Sequence, residues 1–149
     1  MTATASESLA ALYLSDETAW LETMAELIAA REYSEIDYDN LREYLTDMAI
    51  RDRREVLSRL AILIAHHLKW QFQPDRRTTS WQLTIEDQQN ELEQIFESKV
   101  LLKHAEERLP KTYQRAVNMA AIETGLPKSA FPTKSKLSAS EWVALPVPA

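Results

Sequence analysis

Lys69, Arg76 and Arg77 lie within a few positions of Trp70, Phe72 and Trp81. Cationic side chains interleaved with aromatic rings are what a surface needs to follow phosphates and stack bases. The same residues have a structural use. Guanidinium groups can bond the last carbonyls of a helix or pair with acidic neighbours, and Trp70 falls beside the apolar stripe of Leu63 and Ile64. The structural use is the favoured reading. A ligand site here would draw on Lys69, Trp70, Arg76, Arg77 and Trp81, with Arg54 as a further cation, and would take a nucleic acid or a small anion.

Three histidines invite a metal, but His66 and His67 are consecutive, and consecutive residues of a helix point about 100° apart. His104 could join only one of them. Neither Glu-x-x-His nor His-Glu-x-x-His occurs in the chain, so no metal site is expected and His66 reads as a buried, hydrogen-bonded side chain. Ser80, His66 and Asp75 could be assembled into a hydrolytic triad, yet nothing in their spacing positions them. Glu86 and Asp87 are adjacent and diverge, Asp16 reads as a helix cap, and Arg51-Asp52-Arg53-Arg54-Glu55 reads as a solvated face with local ion pairs. The single glycine excludes phosphate-cradling loops, dinucleotide fingerprints and the nucleophile elbow. The absence of cysteine excludes thiol catalysis, thiolate metal sites and disulfides. No catalytic residue and no cofactor is expected, and the balance leans away from an enzyme.

The elements that must position these residues are helical. With 149 residues the chain can bury roughly 70% of its unfolded surface in one domain, and a second core is not expected. Ser15 or Asp16 caps a first helix carrying Trp20, Leu21, Met24, Leu27 and Ile28, which fades near Arg31. Asp37 opens a second with Leu41, Tyr44, Leu45 and Met48, then Val56, Leu60, Leu63, Ile64, His67 and Leu68. The polar gap between those sets predicts a bend or break within residues 48–54. Pro74 ends this helix, Asp75 to Trp81 reads as an ordered loop, and Thr84 caps a third helix bearing Ile85, Leu92, Ile95 and Phe96. Ser98 begins a fourth, which Pro110 kinks or restarts, and Gly125 with Leu126 and Pro127 closes it. Ser138 and Glu141 cap a short final helix with Trp142, Val143 and Leu145. The expected fold is therefore an all-α bundle of four or five helices, with residues 1–11 loosely ordered and 128–149 forming a loop and a short helical tail.

Charge alternates along the chain. Residues 1–50 hold 2 basic and 11 acidic side chains, residues 51–77 hold 7 and 3, residues 78–109 hold 3 and 7, and residues 110–149 hold 5 and 2. Neighbouring helices with complementary rims would produce this pattern without any polyanion. The start lacks the basic and apolar regions of a signal peptide, and Leu60 to Ala65 is far shorter than the ~20 residues that span a bilayer. A soluble cytoplasmic protein is expected, with no membrane. Its expected role is a helical interaction or oligomerisation module that meets another protein or a second copy through an apolar face or the Trp142 tail. Nucleic acid is the less favoured partner.

The run Leu68-Lys69-Trp70-Gln71-Phe72-Gln73-Pro74-Asp75-Arg76-Arg77, with Ser80-Trp81, resembles a bacterial family known as domain of unknown function twenty-nine. Tyr13, Asp16 and Trp20 resemble its opening, Leu41 and Met48 its second helix, and Glu123-Thr124-Gly125-Leu126-Pro127 its closing signature. The family often has glycine at the position of Ala49. The resemblance spans roughly residues 12–145 and implies a helical fold, without implying an activity.

Overall fold

A computed structural model describes residues 2–149, with side chains from Leu9 onward. The described residues are helical, without a strand. They divide by contact into two compact units, 1–50 and 51–149. In place of the single core expected from length, two hydrophobic clusters form.

The first unit holds α1 (Thr2–Ser15), α2 (Glu17–Ala29), a 3-10 turn (Tyr33–Glu35) and the opening of α3 (Tyr38–Phe72). Asp16 caps α2 by accepting a bond from the Ala19 amide at 3.1 Å, which satisfies one of the orphan donors of a first turn. After α2 the chain turns sharply at Arg31, whose φ is 58°. Trp20 is the centre of this unit, fully buried and packed with Met24 and Ile36. Its ring meets Tyr13 at 4.7 Å and Tyr44 at 6.1 Å between centroids. Its Nε1 donates to Asp37 Oδ2 at 3.2 Å, and Asn40 Nδ2 donates to the same oxygen at 2.7 Å. The buried indole thus keeps a partner for its polar edge.

The break expected within residues 48–54 does not occur. α3 continues through them for 35 residues, to Phe72. The reason is local: the stretch contains neither proline nor glycine, Ala49 is the best helix former, and Met48, Arg51, Arg53 and Arg54 propagate a helix well. A polar gap in an apolar stripe marks where the stripe meets water, and it need not end the backbone ladder.

The second unit continues α3 and adds α4 (Thr79–Ile95), α5 (Lys99–Glu107), α6 (Leu109–Thr124) and α7 (Ala139–Ala144). α4 starts earlier than Thr84. Its cap is Thr78, which accepts from the Trp81 amide at 3.2 Å, so only Asp75 to Thr78 of the expected loop lies outside the helix. Thr78, Thr79 and Ser80 are all able to cap, and the first of them does so. Ser98 caps α5, and Pro110 stands in the first turn of a fresh helix, α6, as its missing N–H permits. Gly125 closes α6 with a left-handed φ of 75°. Ser138 and Glu141 form a reciprocal capping box for α7. The core between these helices holds Val56, Leu60, Leu63, Ile64, Ile85, Leu92, Tyr113 and Val117, with Trp142 of α7 packed on it.

Candidate functional site

α3 ends with Lys69 buried and Phe72 packed against the core, and the turn at Pro74–Arg76 returns the chain toward α4. Lys69 is buried to 6% exposure, unusual for a lysine, and its Nζ lies 2.6 Å from Glu123 Oε2. The same ammonium sits 4.7 Å from the centroid of Trp81. A carboxylate and a ring face together replace much of the water it has lost. Arg77 Nε donates to the Trp70 carbonyl at 2.9 Å, which occupies one of the unmatched carbonyls at the end of α3, and its guanidinium stacks 4.9 Å from the Trp70 ring. Arg76 is exposed, and its side chain has no partner among the described residues.

The five residues expected from the sequence therefore do come together in part. Lys69 with Trp81 and Arg77 with Trp70 form two cation–ring pairs, and each cation is also bound to an oxygen of the chain. The remaining cation, Arg76, points to neither.

The histidines are dispersed. His66 Nδ1 lies 2.9 Å from the Ile62 carbonyl, so this nitrogen carries the proton and donates back along α3. Burial lowers its pKa, outweighing that bond. His67 lies against Trp142, 5.7 Å between ring centroids, and burial followed by the neighbouring His66 lowers its pKa to about 4. Its Nε2 is buried without a hydrogen-bond partner among the described residues. His104 Nδ1 is 3.4 Å from Arg53 Nη1, so the guanidinium donates and the imidazole proton resides on Nε2. Slight burial and the Arg53 and Arg108 charges lower its pKa. Among the described residues no group of three His, Asp or Glu side chains is placed to hold a metal ion. In the Arg51–Glu55 run, Glu55 pairs with Arg59 at 2.9 Å.

Sequence reasoning missed a cavity of about 360 Å³ in the second unit, between the end of α3, α6 and the loop before α7. Its walls include Leu68, Trp70, Tyr113, Leu137 and Trp142, and Lys134 and Lys136 stand on it. The loop is tied down at several points. Tyr113 donates its hydroxyl to the Pro132 carbonyl at 2.6 Å, Gln114 Nε2 donates to the Thr133 carbonyl at 2.9 Å, and Trp142 Nε1 donates to Ser135 Oγ at 2.9 Å. Burial raises the pKa of the Tyr113 hydroxyl. The available signal was the tail itself, whose single apolar face at Trp142 had to cover something.

The family model described as Domain of unknown function DUF29 matches residues 12–145. Neither a curated protein nor a solved structure matches the chain. The chain belongs to the DUF29 family.

Proposed function

We propose that this member of the DUF29 family is a non-enzymatic protein-interaction module, whose residues 1–50 dock a basic amphipathic helix of a partner protein. The observation that carries this reading is apolar side chains left in water within a strongly acidic unit. Leu14 is 87% exposed, Leu45 59% and Tyr38 58%. Tyr38 and Leu45 are two helical turns apart and share one face of α3. With 11 acidic and 2 basic side chains in these residues, the complementary partner is a helix with leucine-like side chains on one face and lysine or arginine beside them. A cytoplasmic, bacterial setting accords with a chain without cysteine in a family met in bacteria, and no described helix is long and apolar enough to cross a membrane. The nucleic-acid or small-anion reading has less behind it, because Lys69 and Arg77 are already engaged within the chain.

The test is fluorescence anisotropy of a labelled Leu/Lys amphipathic peptide titrated with the full chain, beside a Leu/Glu peptide of equal length. Leu45→Glu separates the two sources of affinity, since it adds a negative charge while removing apolar contact. Saturable binding of the Leu/Lys peptide that weakens with salt and weakens again in Leu45→Glu is expected. Tighter binding by Leu45→Glu, or equal affinity for the Leu/Glu peptide, would overturn the proposal. A concentration-dependent dimer lost in Leu45→Glu, with no peptide bound, would replace it by a second copy of the chain.

A further inference from the structure

The cavity bordered by Trp70, Tyr113 and Trp142 combines several features that suit a ligand site. It is a cleft open to solvent along the loop, and its volume of about 360 Å³ lies within the range of small-molecule sites. The loop beside it is fixed by bonds from Tyr113, Gln114 and Trp142, so the space is held open by a tied segment. Those bonds use uncharged groups of the loop and leave over the two lysines that line the cavity. Lys134 and Lys136 are exposed, and neither has an ion-pair or hydrogen-bond partner among the described residues. No carboxylate lines the cavity. His67 in its wall carries a buried Nε2 without a hydrogen-bond partner among the described residues, a cost that a packed core ordinarily avoids.

From these observations we propose that the cavity binds a small, largely apolar molecule bearing one acidic group, with its body against Trp70, Leu137 and Trp142 and its anion at Lys134 and Lys136. The wall supplies apolar and aromatic surface in quantity, and the lysines supply orientation. His67 stays neutral at ordinary pH, which leaves the charge contact to the two lysines. A sulfonate, carboxylate or phosphate satisfies the same pair of ammonium groups, so the acid is defined here by charge and size. The site lies in residues 51–149, and its failure would leave the docking of a helix by residues 1–50 untouched.

The probes are 8-anilinonaphthalene-1-sulfonate and its neutral relative N-phenyl-1-naphthylamine, titrated into the full chain by fluorescence at low salt. One saturable site with a blue-shifted emission is expected for the sulfonate. Lys134→Ala with Lys136→Ala should weaken the sulfonate about three- to tenfold, the range two exposed charge contacts support, and shift the neutral probe by less than about twofold. Gln71 is an exposed residue at the cavity edge, so Gln71→Trp should fill the space and weaken both probes about tenfold or more. Leu45→Glu, in the other unit, should change neither. Absence of a saturable site, binding indifferent to Gln71→Trp, or equal losses for both probes in the lysine variant would each overturn the proposal. Should Gln71→Trp fail to fold, the lysine pair decides alone.

Discussion

A histidine that is buried and uncharged makes folding depend on pH, and His67 does so in a computable direction. Its folded pKa of about 4 lies below the ordinary 6.5, so the unfolded chain takes up the proton first as pH falls. The contribution is fully present above pH 6.5, declines between 6.5 and 4, and is gone below. Over the interval from pH 7 to pH 5 the loss is about 2 kcal/mol, and His66, shifted the same way by burial, adds to it. Urea unfolding of His67→Leu should show a clearly smaller fall in midpoint between those pH values than the parent chain. It should be no less stable at pH 7 by more than about 1 kcal/mol, because an unpartnered buried nitrogen disappears with the ring. Equal pH slopes in the two proteins would refute the assignment. The sequence placed His67 on the apolar stripe of α3 but said nothing of Trp142 lying over it, 75 positions away in the chain. Lys69 teaches the same lesson. A structural use was the favoured reading of its surroundings, but the carboxylate that holds it, Glu123, is 54 residues distant and visible only after folding.

Most element boundaries written as a cap or a special backbone angle in a few adjacent residues were legible, although at α4 the capping residue is Thr78 and not Thr84. Asp16, Ser98, Gly125 and the Ser138–Glu141 box each act locally, and each falls where its chemistry says. The break expected in α3 depended on an apolar pattern and was misread, because a run of solvent-facing charges resembles an interruption. Continuity of α3 at Ala49 is testable because that side chain is exposed and packs little. Ala49→Gly should cost about 0.5–1 kcal/mol through backbone freedom alone. Ala49→Pro should cost about 3 kcal/mol or more, because it removes a ladder bond and collides with the carbonyl one turn back. Thermal melts followed by far-ultraviolet circular dichroism report both. A proline tolerated within about 1 kcal/mol would mean that the helix is already interrupted there.

At the scale of the molecule, the two units differ sharply in how much apolar surface each has withdrawn from water. Among the described residues of 1–50 the buried cluster holds Trp20, Met24 and Ile36, whereas the cluster of residues 51–149 includes Leu60, Leu63, Ile64, Leu92, Tyr113 and Trp142 among many others. Local stability follows buried contact, so amides of α2 and of residues 38–50 should exchange through a cheaper opening than those of 56–68 and 113–121. Trp20 makes the contrast measurable. It carries two ring contacts and the Asp37 bond, and truncation of a buried tryptophan costs about 3–5 kcal/mol, a large share of what so small a core supplies. In Trp20→Ala, hydrogen exchange read by mass spectrometry should show protection collapsing across residues 17–50, with residues 56–68 and 113–121 retaining most of theirs. A uniform loss across both sets would show that the chain unfolds as one cooperative body. The measurement also bears on the docking proposal, because an acidic unit that opens at low cost can rearrange its exposed leucines around an incoming basic helix. A unit locked to the rest in a single transition would have to present Tyr38 and Leu45 as they stand.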